Sequence, residues 1–288
     1  LNDKDEIVGW KRREEIDKDF LIIDEASMVS RDIWEDLLNY KKPIFAVGDH
    51  GQLPPIDGNF NLMQNPHLTL TQIHRQAKEN PIIKLSCMAR ETGEIPFGDY
   101  GQNVKKLDKT AWETQEVINN LLETYDENTI VLCGYNKTRV NLNSQIRQFL
   151  GFETPEPEVG DRVICLRNNP RAGIFNGMLG KILGIYPDGK KWYFAKIRME
   201  DGFNFEGPIL KAQFNQSETL EISKKSREKI HGDLFDFGYS MTVHKAQGSQ
   251  AKRVILFEER FGRMDNEKWR RWLYTGITRA EEELFIIG

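Results

Sequence analysis

The chain has 288 residues, more than one compact core usually absorbs, so two domains of ordinary size are the first expectation. It is 39% hydrophobic and 29% charged, which excludes a disordered tail, and 40 basic against 44 acidic residues give a net charge of −4. That balance excludes a binder held by a generally basic surface, so any nucleic-acid site has to be a local groove.

Purely apolar runs stop at four residues, as in Phe20 to Ile23 and Val254 to Phe257, where a bilayer span needs about 20. No transmembrane segment is expected. Three cysteines, at 87, 133 and 165, are too far apart for a zinc pair and odd in number for a disulfide framework. They read as reduced core thiols in a cytoplasmic protein. The chain opens at Leu1 without a secretory segment, and the reading is of a fragment.

Short apolar runs alternate with helical patterns, the rhythm of strands and crossover helices in a parallel sheet, so the class is α/β. Phe20 to Ile23 reads as a buried strand, Ile33, Trp34, Leu37 and Leu38 as a helix face, Ile44 to Val47 as the next strand and Leu68 to Leu70 as a third. Ile82, Ile83, Leu85 and Met88 continue as a helix. The glycine- and proline-bearing stretch from Gly93 to Gly101 then marks a boundary, giving a first domain at 1–92, a linker at 93–110 and a second domain at 111–288.

In the second domain, Val117, Ile118, Leu121 and Leu122 predict a helix, Ile130 to Cys133 a strand, and a polar helix follows to about Leu150. From about 155 to 230 the runs turn β-like, with Val163 to Leu166, Ile182 to Tyr186 and Trp192 to Ile197 as strands and Asp188-Gly189 as a hairpin turn. This segment reads as a small β-barrel inserted into the second α/β domain. The α/β pattern resumes with Val254 to Phe257, a helix around Trp269 to Leu273 and a last strand at Leu284 to Ile287.

The chemistry begins at Asp24-Glu25, two carboxylates at the end of a predicted parallel strand, the edge at which such sheets bind ligands. There an Asp can hold Mg²⁺ through water and a Glu can orient or deprotonate an attacking water; by themselves the two are equally a solvated helix start. One helix and one strand later comes Gly48-Asp49-His50-Gly51-Gln52-Leu53-Pro54-Pro55.

Leu21 to Ser27 with Gly48 to Pro55 resembles motifs II and III of superfamily 1 helicases. Leu70 to Gln76 resembles motif IV, Gly238 to Ser249 motif V and Tyr274 to Ala280 motif VI. The motif V wording and the β-rich insertion are most similar to the RecD and Dda branch, DNA helicases that move 5′ to 3′ on single-stranded DNA. The resemblance implies two RecA-like domains of the P-loop NTPase type, the first incomplete, with an SH3-like barrel at about 155–230 in the second. It implies ATP and Mg²⁺ as cofactors, single-stranded DNA as partner, and nuclease or recombination subunits as further partners.

By the same resemblance Asp24 holds the metal, Glu25 activates water, Gln52 reports the γ-phosphate, and Arg75 and Arg279 stabilise charge on the transferring phosphoryl group, Arg279 as an arginine finger. Gly248 allows close backbone approach near the nucleotide, and Thr242, His244 and Lys245 touch DNA phosphate. Without the family context Gln52 is a loop amide, the arginines are surface ion pairs, and Thr242, His244 and Lys245 end a strand and start a helix.

A phosphate-cradling GxxxxGK[ST] loop is missing. Gly184 to Lys190 has the spacing, but Lys191 stands where Ser or Thr is needed and Trp192-Tyr193-Phe194 reads as a hairpin strand. The family places that loop upstream of motif II. The leading reading is therefore the motor portion of an ATP-dependent DNA helicase or translocase serving recombination, repair or replication. The rivals are a non-enzymatic DNA-binding fragment or accessory subunit and an RNA-directed NTPase.

Overall fold

A computed structural model of the chain describes residues 12–55, 60–70, 80–220 and 232–288. They form two compact units that divide between Arg75 and Gln76.

In the first unit, β1 (Leu21–Ile23) leads through a short helical turn at Ala26–Met28 to α1 (Arg31–Leu38), whose first turn is capped by the Ser30 hydroxyl. The chain returns in β2 (Ile44–Ala46), parallel to β1 with Leu21 opposite Ile44. Parallel strands are usually covered on both faces, yet Ile22 and Phe45 are 66% and 62% exposed here. The strand expected at Leu68 to Leu70 is absent: these residues take no regular structure, and Leu68 and Leu70 are exposed with no neighbouring strand among the described residues.

The second unit opens with α2 (Pro81–Glu91), started by Pro81 at its first position and by the Asn80 side chain, which accepts from the Ile82 amide at 2.8 Å. Next come β3 (Gly98–Asp99), β4 (Val104–Leu107), α3 (Trp112–Glu123), β5 (Thr129–Cys133) and α4 (Asn136–Phe149). The run continues through β6 (Arg162–Cys165), β7 (Leu179–Asp188), β8 (Trp192–Met199), β9 (Asn204–Leu210) and β10 (Phe235–Phe237). It closes with β11 (Ser240–Thr242), β12 (Ala251–Phe257), α5 (Asn266–Ile277) and β13 (Ala280–Ile287). A six-stranded sheet has the order β11-β5-β12-β13-β4-β3, all parallel except the β3 and β4 pair.

The expected linker at 93–110 is not one. Its residues form β3 and β4, which extend the main sheet beyond β13, and α2 packs against α5 and β13. The boundary therefore falls before α2 rather than after it. A glycine-rich turn between two short strands carries the same composition as a linker, which is why the sequence misleads here.

The β-rich insertion is a five-stranded antiparallel sheet of order β10-β6-β7-β8-β9. Its ends meet, because the Asp233 amide donates to the Pro208 carbonyl at 2.8 Å and the Leu210 amide to the Asp233 carbonyl at 3.1 Å. The core of this sheet is continuous with the α/β core: Val163, Ile197, Phe235 and Phe237 pack in one cluster with Leu122, Val131, Leu142 and Ile146.

Three polar residues of α4, spaced i, i+4 and i+8 on one helix face, are buried against the insertion. Arg139 pairs with Asp236 of β10 at 2.7 Å. Asn143 donates to the Phe237 carbonyl at 3.1 Å and accepts from the Ser240 amide at 2.8 Å. Arg147 grips both oxygens of Asp161 at 2.8 and 3.0 Å, and Tyr239 donates its hydroxyl to the same carboxylate at 2.7 Å. A spliced-in module would carry a core of its own; this one shares both its apolar core and its buried charges with the parent sheet.

Two outcomes follow from that sharing. Asp161→Ala leaves the Arg147 guanidinium buried without its carboxylate and should lower stability by about 3–5 kcal/mol, read from urea denaturation. Deleting residues 155–230 should abolish the cooperative unfolding transition of the second unit, whereas a cooperative transition in the deletion variant would show the insertion to be separable.

Candidate functional site

The first unit brings Asp24, Glu25 and Gln52 into one small region. Asp24 and Glu25 follow β1 and are exposed. Asp24 Oδ1 accepts from the Glu25 amide at 2.8 Å, and Glu25 takes a left-handed backbone, φ 49° and ψ 40°. A non-glycine residue there costs about 1–2 kcal/mol, and such outliers gather at functional sites. The turn is pinned by the next strand: the Ala26 amide donates to the Val47 carbonyl at 2.9 Å and the Val47 amide to the Ile23 carbonyl at 2.8 Å.

Gly48 has to be glycine, since a Cβ there would lie 2.9 Å from the Ser27 amide nitrogen and 2.9 Å from the Met63 sulfur. The following loop is tied by Asp49, which accepts from the Gly51 amide at 2.8 Å through its side chain and from the Gln52 amide at 3.2 Å through its carbonyl. Gln52 is buried, and the Ser27 side chain is buried as well. Parallel β1 and β2 thus set the two loops side by side at their carboxyl edge. Arg75 lies outside the described residues, as does motif IV beyond Leu70.

The second unit gathers Thr242, His244, Lys245, Gly248 and Arg279. Thr242 ends β11 opposite Cys133, and its carbonyl accepts from the Lys245 amide at 2.9 Å and the Ala246 amide at 3.1 Å, which turns the chain at once. Burial lowers the pKa of His244, and burial together with Arg139 lowers that of Lys245, with Asp236 opposing. Among the described residues, nothing beyond its chain neighbours lies within 4 Å of a Cβ on Gly248; its φ of +80° is what favours glycine.

Arg279 is buried. Its Nε donates to the Thr275 carbonyl at 3.0 Å, Nη1 to the Ser249 carbonyl at 3.0 Å and Nη2 to Thr278 Oγ1 at 3.1 Å. It therefore ties the end of α5 to the residue after Gly248, joining the motif VI segment to the motif V loop.

Sequence reasoning missed two features near these residues. One is the α4 stripe, which fixes Ser240 at the start of β11; its signal was the spacing of Arg139, Asn143 and Arg147, which passed for a solvated helix face. The other is Glu259 after β12, which accepts from the Gly134 and Tyr135 amides at 2.8 and 2.9 Å and from the Thr138 hydroxyl at 2.5 Å. A carboxylate thus sits at the positive end of α4. No local sequence pattern points to it, because its partners lie more than 120 residues away.

Residues 4–112 match an AAA domain model and residues 237–287 match a UvrD-like helicase C-terminal domain model. The chain is 29% identical to the ATP-dependent RecD2 DNA helicase of Deinococcus radiodurans, over 94% of this chain and 36% of that protein. It is 24% identical to the ATP-dependent DNA helicase Pif1 of Campylobacter jejuni, over 82% of this chain and 63% of that one. It is 23% identical to the RecBCD enzyme subunit RecD of Buchnera aphidicola, over the whole of this chain and 57% of that one. The chain is similar to superfamily 1 helicases of the RecD/Pif1-like branch.

The chain also shares its α/β fold with a Bacteroides Pif1 crystallised with single-stranded DNA, at a TM-score of 0.58 and 18% identity over 94% of this chain and 70% of that one. It spans less than two thirds of each of the curated relatives named here. Asp24, Glu25, Gln52 and Arg75 fall within the AAA match, and Thr242, His244, Lys245, Gly248 and Arg279 within the UvrD-like match. No helix among the described residues is long and apolar enough to cross a membrane, and no group of three or more His, Cys, Asp or Glu among them could hold a metal.

The lowered pKa of His244 makes its protonation a cost to the folded state. The unfolded chain takes up that proton first as pH falls through about 6.5, so this histidine's contribution to stability is present above that pH and lost below it. Between about pH 8 and pH 5 the urea midpoint of His244→Gln should fall less steeply than that of the wild type. Parallel profiles would remove His244 from the account.

Proposed function

We propose that the chain is the motor core of an ATP-dependent DNA helicase or translocase working on single-stranded DNA. The observation that carries this reading is the packing of Asp24-Glu25 and the Gly48 to Gln52 loop at one parallel-strand edge, backbone against backbone at Gly48 and Ser27. Phosphoryl transfer needs little covalent chemistry from a protein and much positioning, and this edge supplies carboxylates held by main-chain bonds.

In this reading Glu25 orients and deprotonates the attacking water from a left-handed backbone. Asp24 is an exposed oxygen donor, and no group of three or more His, Cys, Asp or Glu that could hold a metal occurs among the described residues. That suits Mg²⁺, which keeps most of its waters and binds through one or two carboxylates plus phosphate oxygens. Bound with ATP, the ion would neutralise phosphate charge.

Gln52, packed into the second loop, reports the nucleotide to the rest of the motor. Arg75 and Arg279 stabilise charge on the transferring group, and the Arg279 contacts with Thr275 and Ser249 let a change at the nucleotide reach the motif V loop. Gly248 gives that loop its left-handed turn, while Thr242, His244 and Lys245 hold DNA phosphate.

We read the two units as RecA-like and the five-stranded sheet as an SH3-like barrel, which its meeting ends support. A cytoplasmic setting and assembly with recombination subunits accord with the RecBCD enzyme subunits among the relatives. The 288 residues contain no GxxxxGK[ST] run, so hydrolysis is measured on a polypeptide that includes one.

On that polypeptide, Glu25→Gln should keep nucleotide binding and lower single-strand-stimulated turnover by about 10²–10⁴-fold. Wild-type turnover in the variant would return Glu25 to a helix-capping role. Arg279→Lys should lower kcat by about 10³-fold or more with nucleotide affinity nearly unchanged, because a Lys keeps the charge but not the planar fork. An unchanged kcat beside a lowered melting temperature would make Arg279 a structural tie.

A further inference from the structure

The antiparallel sheet carries a surface that the motor reading leaves unused. On its outward face Tyr186 of β7 and Phe194 of β8 stand directly opposite each other, 66% and 43% exposed. The Tyr186 ring lies over Gly184: a Cβ built there would sit 3.6 Å from both a ring carbon and the hydroxyl. The absent side chain at Gly184 thus lets the ring spread across the sheet instead of standing off it.

Along β8 the same face continues every second residue to Lys196 and Arg198, each step about 7 Å. Arg198 is directly opposite Lys181 of β7, and both are exposed. Like charges facing each other across a strand pair are destabilising, and an anion lying over them removes the cost. Lys196 pairs with Glu206 at 2.5 Å and Lys181 with Glu127 at 3.2 Å, with every one of these side chains at least half exposed. Surface pairs of this kind hold their partners weakly. On β7 and β8 this face carries the cations Lys181, Lys196 and Arg198 and one carboxylate, Asp188, with Glu127 and Glu206 reaching Lys181 and Lys196 from neighbouring segments.

We propose that the outward face of β7 and β8 is a landing strip for single-stranded DNA, with bases stacking on Tyr186 and Phe194 and phosphates passing Arg198, Lys181 and Lys196. The proposal rests on the reading of the chain as a single-strand motor and adds a surface to it. Exposed rings on a sheet stack unpaired bases whatever their sequence, and flanking cations follow the backbone. A duplex buries its base faces and gives the two rings nothing to stack on. A protein partner would be expected to bury the apolar pair under its own apolar side chains, but the row of cations beside it suits a polyanion better.

The test is fluorescence anisotropy with the 288-residue chain, using oligo(dT), an abasic oligonucleotide of equal length and a duplex. Tyr186→Ala/Phe194→Ala should weaken oligo(dT) binding by roughly tenfold or more and leave abasic binding unchanged. Tyr186→Phe/Phe194→Tyr should bind oligo(dT) as the wild type does. Arg198→Ala should flatten the logarithmic salt dependence for single strands by about 0.7.

Wild-type affinity for oligo(dT) in a folded Ala double variant, or equal loss on the abasic strand, overturns the proposal and leaves the motor reading standing. A wild-type chain that binds no oligo(dT) removes the motor reading and this surface with it.

Discussion

The arrangement of the second unit depends on one helix face. Arg139, Asn143 and Arg147 spend two buried cations and an amide on joining α4 to Asp236, to the Phe237 and Ser240 backbone and to Asp161. A buried ion pair is weak evidence for stability, since desolvation offsets much of its attraction. Its effect is selective: any register in which β10, β11 or the segment before β6 slips by one residue leaves a buried charge or amide without its partner. The same slip would also turn Val163, Phe235 and Phe237 to the opposite face of the sheet. The polar stripe therefore fixes how the antiparallel sheet sits on the parallel one and where β11 begins, and so where the loop carrying His244 and Lys245 leaves the sheet.

The same economy operates on a smaller scale in the first unit. Two strands of three residues hold little core, and Ile22 and Phe45 remain exposed. Order comes instead from main-chain bonds between the Ile23 to Ala26 and Val47 segments, and from a glycine that lets the two loops approach within backbone distance. Glu25 absorbs the resulting geometry as a positive φ. The backbone of both loops is thereby fixed by main-chain bonds rather than by a core.

Much of this was legible in the residues. Apolar runs such as Ile130 to Cys133 and Val254 to Phe257 are central strands because burial on both faces demands continuous hydrophobicity, and motif spacing led directly to Asp24, Gln52 and Arg279. β9 escaped because Gly207 and Pro208 interrupt its alternation, and β10 because Asp236 stands where an apolar residue was expected. Both are strands whose identity is settled by a neighbour: β9 by its ladder to β8, and β10 by a helical arginine 97 residues away. β3 and β4 were hidden for the same reason, being short strands in a turn-rich stretch, with only β3 at the edge. Composition reports local preference, and these elements owe their form to distant partners.

Arg279 shows the limit most clearly. The resemblance implies a side chain that meets phosphate, whereas its guanidinium donates to the Thr275 carbonyl, the Thr278 hydroxyl and the Ser249 carbonyl. The two descriptions are compatible on physical grounds. A guanidinium carries its donors in one plane, and that planar fork matches the oxygens of an oxyanion. The bonds to Thr275 and Ser249 also set the plane of the fork, so a phosphate that engages it need not first order the side chain. The same contacts mean that any tilt of the fork pulls on Ser249 and on the left-handed turn at Gly248, a position where the chain turns in open space and steric resistance is small. Arg279, just past α5, is thereby connected to the Thr242 to Lys245 segment through fewer than ten residues of loop.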